Sequence, residues 1–253
     1  MPLLRPGAFL ATGVAAAAFT TRQGGVSGGP YRSLNLSYAV GDVRTAVARN
    51  RRRAAAAIGA VPGRLVEAQQ VHGAGVALVG PHDAGRTLPG VDALVTDSPD
   101  VWLAVHTADC VPVVILDPAR PAIAAVHAGW RGVAAGAVPA ALGRLRTAFH
   151  SDPGRCLAAL GPAVGGCCYE VDATVAGVMG EAPWWPRASR PGAPGKWYLD
   201  LREAIRAQLG ASGVPAERIE TIPGCTRCQP DLYFSYRRER VTGRMAACIR
   251  LCG

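Results

Sequence analysis

Apolar residues gather in short, uninterrupted runs through the middle third of this chain. LVEAQQVHG, GVALVG, DALVTD, VWLAVHTAD, VPVVILD and AIAAVHAG are each rich in Val, Ile, Leu or Ala and bounded by Gly, Pro or Asp, the pattern of short strands. Runs such as VPVVIL lack the alternation of a half-exposed strand. They predict a sheet core covered on both faces, with helices packed outside it. Upstream, FTTRQGGVSGGPYRSLNLSY reads as a strand end followed by a glycine and proline loop able to line a site. Asp42 is the expected N-cap of a helix through VRTAVARNRRRAAAAI, which Gly59 stops.

Downstream of AIAAVHAG, the segment VAAGAVPAALGRLRTAF predicts a helix with a kink or restart at Pro139. A strand over CLAALGP follows, then a helix after Glu170 and a Pro, Gly and Trp-rich loop from Ala182 to Gly195. The tail predicts a helix from Asp200, a strand at ERIET, a cysteine-bearing turn, the segment DLYFSYRRER and a final strand RMAACIRL. No internal repeat or low-complexity linker interrupts this order, so residues 1–253 are expected to form a single domain.

Composition narrows the class. With 253 residues, 49% of them hydrophobic, the chain can bury a sizeable core without disulfides. The formal charge is +9, almost all of it arginine, with Lys196 the only lysine. Arginine spread this evenly favours a solvated surface and a phosphate-bearing small substrate over DNA or RNA. The eight cysteines lack the spacing of a secreted disulfide framework, which predicts reduced thiols and a cytoplasmic protein. GAFLATGVAAAAF imitates a signal peptide, but Gly7 and Gly13 interrupt it, and it is assigned to the fold. No apolar run reaches the roughly 20 residues of a membrane span. A soluble monomer is expected.

Three segments end a short apolar run with a metal-competent side chain beside a small-residue turn: His72 in QQVHGAGV, Cys110 in HTADCVP and His127 in AVHAGWRG. Ligands at the ends of neighbouring strands can converge on one point. Two imidazoles and a thiolate suit zinc, and three protein ligands leave a fourth position open, as in catalytic sites. The residues alone leave His106 as a competing ligand and a metal-free Cys110 and His127 nucleophile pair as an alternative. Cys225 and Cys228 form a Cys-x-x-Cys, while Cys167 and Cys168 are adjacent, a poor chelating arrangement. These are read as structural or incidental thiols. Neither a Walker-type phosphate loop nor a dinucleotide fingerprint is present, which disfavours ATPases and Rossmann oxidoreductases.

These motifs, taken in order, resemble the laccase-domain family of the YfiH/YlmD type, whose members are also labelled polyphenol oxidase, peptidoglycan editing factor and purine nucleoside phosphorylase. The resemblance rests on FTTRQGGVSGGPYRSLNL, GDVRTAVARNR, EAQQVHG, DALVTDSPDVWLAVHTADCVPVVILDP, AAVHAGWRG, LGPAVGGCCYEV, YLDL, CTRCQPDLYFSYRRER and GRMAACIRL, nearly the whole chain. It implies an α/β fold, a four-layer α/β/β/α sandwich with mixed sheets, and a metal held by His72, Cys110 and His127. It further implies zinc-dependent phosphorolysis of adenosine, inosine, guanosine and methylthioadenosine, together with adenosine deamination. On that basis Arg51 and Asp109 are the candidate catalytic residues, with Asp109 as general acid or base. Asn35, Arg22 and Arg131 are the candidate substrate-binding residues, the arginines for phosphate and Asn35 for ribose. The chain departs from the commonest family pattern at His106 and Cys168; the extra imidazole could tune the metal site or recruit another metal. A copper-dependent polyphenol oxidase and a peptidoglycan-precursor editing hydrolase are the competing activities. The five histidines, with no His-x-His pair, fall short of a multi-copper cluster.

Overall fold

Every residue of the strand Val111–Asp117 is buried, and its side chains divide between two cores. Val111, Val113 and Ile115 face one core, and Val114 and Leu116 the other. Ala93–Thr96 and Ala122–Ala128 divide in the same way, because successive side chains of a strand point to opposite faces. Burial on both faces is why these stretches read as continuous apolar runs. A computed structural model describes residues 1–61 and 63–252 and places these strands in a four-layer arrangement.

The two inner layers are six-stranded mixed sheets. One runs in the order Leu3–Leu4, Ala15–Thr20, Met245–Leu251, Trp102–Thr107, Leu65–Gln69, Thr87–Pro89. The other runs Ile219–Thr221, Leu157–Leu160, Val111–Asp117, Ala122–Ala128, Ala93–Thr96, Val76–Leu78. Between them lies a core that includes Phe19, Leu103, Val105, Leu94, Ile123 and Ile249. The helix Arg44–Ile58 covers the outer face of the first sheet, laying Ala54 and Ile58 against Trp102, Ala104, Ala246 and Cys248. The helices Ala137–Phe149 and Leu201–Ala211 cover the outer face of the second. Among the described residues no helix is long and apolar enough to cross a membrane.

Several local expectations need correction. Asp42 is not the N-cap of the first long helix. That position is Val43, while the Asp42 carboxylate accepts hydrogen bonds from Ser27 Oγ, Asn35 Nδ2 and the Val43 amide. The break near Pro139 falls earlier, at Gly136, whose φ of 78° suits glycine; Pro139 sits in the first turn, where its missing N–H costs no hydrogen bond. The segment from Ala182 to Gly195 is not all loop. It holds the short helix Trp185–Ala188 and the strand Ser189–Pro191, which pairs with Lys196–Leu199 in a small third sheet completed by Glu170–Asp172. The signal-like N-terminal stretch does belong to the fold, as expected, forming the helix Gly7–Thr12 and the strand Ala15–Thr20 with Phe9 buried in the intersheet core.

Candidate metal centre and its cavity

The chain steps between the two sheets several times, and one of the shortest steps builds the site. Trp102–Thr107 lies in the first sheet and Val111–Asp117 in the second, so residues Ala108 to Cys110 step from one to the other. That step carries Cys110 to the mouth of the sandwich. His127 arrives on the neighbouring strand, paired in register with Pro112, and His72 follows the end of Leu65–Gln69. The donor atoms of His72, Cys110 and His127 all lie within 4.8 Å of one another. The two imidazole rings meet edge to face, centroids 4.9 Å apart.

Asp92, fully buried, organises the trio. Its carboxylate accepts the successive amides of Val71, His72 and Gly73 at 3.1, 2.9 and 2.7 Å, which holds His72 in the left-handed region at φ 63°. The same carboxylate lies 2.7 Å from His127 Nδ1, so His127 presents Nε2 to the trio. Burial would raise the Asp92 pKa, but the hydrogen bonds from His127 and Gly73 overcome it and hold the carboxyl below its usual range. Nothing in the sequence marks Asp92 out from other aspartates at strand starts.

The donor set fits a borderline-soft ion. Burial would push the Cys110 thiol up, yet the charge and hydrogen bond of His127, then those of His72, bring it down to about 6. Burial would depress His127, yet the Cys110 thiolate and Asp92 raise it to about 9. Each group thus favours the charged form of the other, a thiolate facing an imidazolium whose proton a metal would displace. Space is reserved as well: a Cβ built on Gly129 would sit 2.8 Å from Cys110 Sγ and 3.2 Å from His72 Cδ2. Only glycine leaves the trio room to close.

The trio opens into a cavity of about 560 Å³. Its walls carry four guanidinium groups, from Arg131, Arg237, Arg240 and Arg244, and the rings of Trp130, Tyr169 and Tyr236. Among the described residues Asp109 is the one carboxylate lining it. Asp109 adopts φ 95°, unusual for a side-chain-bearing residue, and is clamped there. Thr226 Oγ1 donates to Oδ1 at 2.5 Å, the Arg237 amide donates to Oδ2 at 2.6 Å, and the Asp109 carbonyl accepts from Val164 N at 2.9 Å.

The other expected site residues lie elsewhere. Asn35 is fully buried; its side chain donates to the Ser37 carbonyl and to Asp42 and accepts from the Ser37 and Arg244 amides. Arg22 pairs with Glu239 at 3.0 Å and stacks over Phe234, outside the cavity. Arg51 bonds the Leu36 carbonyl and pairs with Glu67 at 2.5 Å, in an adjacent pocket. His106 lines both pockets but does not join the trio, because its Nε2 is held 2.7 Å from Glu67. Of the arginines singled out in the sequence, only Arg131 reaches the cavity. Arg237, Arg240 and Arg244 went unassigned, although they lie in and just after the DLYFSYRRER segment.

Comparison with known proteins agrees with this architecture. The chain is 43% identical over 245 residues to the purine nucleoside phosphorylase YlmD of Geobacillus stearothermophilus, covering 93% of this chain and 89% of that protein. It is 46% identical over 233 residues to a purine nucleoside phosphorylase of Streptomyces coelicolor, covering 92% and 94%. The crystal structure of YlmD from Geobacillus stearothermophilus superposes with a TM-score of 0.95 at 40% identity, over 100% of this chain and 97% of that one. That of the hypothetical protein YfiH from Bacillus licheniformis gives 0.91 at 35% identity, over 94% and 93%. Residues 16–252 match the family model described as multi-copper polyphenol oxidoreductase laccase. The chain belongs to this laccase-like family, the one that includes YfiH and YlmD.

Proposed function

We propose that this chain is a zinc-dependent purine nucleoside phosphorylase acting on adenosine, inosine, guanosine and methylthioadenosine, with adenosine deaminase activity at the same site. One observation carries the proposal: a two-imidazole, one-thiolate trio opens into a cavity with several guanidiniums, aromatic faces and a single carboxylate. The family name and the names of its relatives point the same way.

His72, Cys110 and His127 would hold the ion, and the chemistry zinc supplies in such a place is Lewis acidity. The remaining work falls to the chain. Among the described residues Arg131 and Arg240 have no carboxylate partner, so their guanidiniums are free to grip phosphate. Tyr169 and Trp130 line the same wall, with Arg237 and Arg131 over their rings, and would stack a purine against a remaining face or edge. In phosphorolysis a phosphate oxygen bonds to ribose C1′ as the bond from C1′ to purine N9 breaks. The departing base takes up at N7 the proton that hydrogen phosphate gives up, and Asp109, fixed from both sides, is the general acid or base placed to relay it. In deamination water adds at purine C6 and ammonia leaves, with Asp109 again moving the proton. All eight cysteines are free thiols, which suits a cytoplasmic enzyme working alone on small molecules.

The multi-copper description of the family invites a second reading, phenol oxidation with copper. Imidazole and thiolate bind copper too, but five histidines are too few for a blue-copper site plus a trinuclear cluster. Incubating the zinc-loaded protein with adenosine or inosine, with and without phosphate, separates these activities through free base, inosine and ribose 1-phosphate. Phosphate-dependent base release is expected. No turnover of any purine nucleoside, or unaltered activity in His72→Ala, overturns the proposal; copper-dependent phenol oxidation alone would replace it.

A further inference from the structure

Two cysteine pairs some sixty positions apart in the chain meet on one side of the molecule. Cys167 and Cys168 occupy the turn before Glu170–Asp172, and Cys225 and Cys228 the turn after Ile219–Thr221. A backbone bridge between Ala163 and Cys225, with the Thr226 amide donating to the Ala163 carbonyl at 3.0 Å, ties the turns together. All four Sγ atoms lie within 4.8 Å of one another. Adjacency in sequence made Cys167 and Cys168 look like poor chelators. The fold instead turns both sulfurs toward Cys228, at 3.7 and 3.3 Å.

We propose that Cys167, Cys168, Cys225 and Cys228 form a second, structural site for a thiophilic divalent ion, with zinc the expected occupant. The spacing is that of sulfurs sharing an ion. Zn–S bonds of about 2.3 Å set tetrahedral sulfur–sulfur edges of about 3.8 Å. A disulfide would need about 2.05 Å, and all four are free thiols. The backbone is arranged for thiolate as well. The Gly165 amide donates to Cys225 Sγ at 3.3 Å. Arg227 lies inside the Cys-x-x-Cys, where its positive charge offsets part of the negative charge that four thiolates would leave. An all-sulfur donor set excludes calcium and magnesium and selects a soft or borderline ion.

Four protein ligands close such a site to substrate, which makes its role mechanical. Thr226, inside the Cys-x-x-Cys, holds one oxygen of the Asp109 carboxylate. Arg238 locks the same turn through the Thr226 and Arg227 carbonyls at 2.7 and 3.0 Å. Tyr169, next to Cys168, lines the main cavity. An ion across the two turns would therefore fix the wall on which Asp109 and Tyr169 depend.

Metal content of protein purified under reducing conditions tests this independently of the trio. His72→Ala disables the trio yet is expected to retain about one zinc per chain, against about two in the wild type. Adding Cys228→Ser, at an exposed position, should bring that retained zinc close to zero. Cobalt loaded into His72→Ala should give the strong sulfur-to-cobalt charge-transfer absorption of a tetrahedral thiolate site, a readout that needs no second variant. Metal-free His72→Ala with all four thiols freely reactive would overturn the proposal. So would a disulfide within the cluster in non-reducing peptide mass spectra of freshly purified protein. Both results are read from metal content and thiol state and not from turnover, so failure here and failure of the proposed activity are distinguishable.

Discussion

A single buried carboxylate does more for the metal centre than any residue except the ligands. Asp92 receives three consecutive amides and one imidazole, so both oxygens act only as acceptors. Asn in its place would turn one oxygen into a donor facing N–H groups, loosening the His72 turn and freeing the His127 ring. Asp92→Asn should lower zinc affinity at the trio about 10- to 100-fold, read by chelator competition in a Cys228→Ser background so that the four-thiol cluster does not contribute. Unchanged affinity would mean the trio orients itself. The ligands were legible in the sequence because His and Cys are scarce and stand at run ends. Asp92 was not, since an aspartate before a strand has many uses, and only the fold shows which amides it meets.

At the scale of elements, apolar runs located the strands because both faces of each sheet are covered. The small third sheet escaped notice because its strands are three or four residues long and set among Pro, Gly and Trp. Packing between layers also depends on one polar contact the pattern could not reveal. Glu67 on Leu65–Gln69 joins Arg51 on the outer helix to His106 on Trp102–Thr107. Burial would raise Glu67, but the hydrogen bond and charge of His106, then those of Arg51, hold it at about 2 instead of 4.5. A depressed carboxyl stabilises the fold fully above its ordinary value and loses that contribution as pH falls toward the folded value. The stability difference between wild type and Glu67→Gln should be on the order of 2 to 3 kcal/mol above about pH 5 and shrink steadily toward pH 2. Urea unfolding across that range measures it. A difference independent of pH would show that the contact acts by shape and not by charge.

Over the whole molecule, positive charge is everywhere, and that is why it misled. Of 27 basic residues all but one are arginine, so local sequence could not say which of them face a ligand. The fold decides by topology. The sheet crossing at Ala108 to Cys110 creates the cavity, and the segment after Tyr236 returns along its rim with Arg237, Arg240 and Arg244. Arg22 and Arg51 are used up in pairs with Glu239 and Glu67, whereas Arg131 and Arg240 have no such acid partner among the described residues. If the cavity is where phosphate meets a nucleoside, charge removed from its wall should weaken phosphate binding and charge removed elsewhere should not. A charge-assisted hydrogen bond contributes about 1.5 to 3 kcal/mol, so Arg131→Ala and Arg240→Ala should each raise the phosphate KM about tenfold or more. Zinc content should not move in either. Arg51→Ala should leave that KM within about twofold while lowering stability, because its guanidinium serves Glu67 and the Leu36 carbonyl. The reverse ranking would relocate phosphate to the pocket beside the outer helix, where Arg51 and Arg52 line the wall and His106 separates it from the trio.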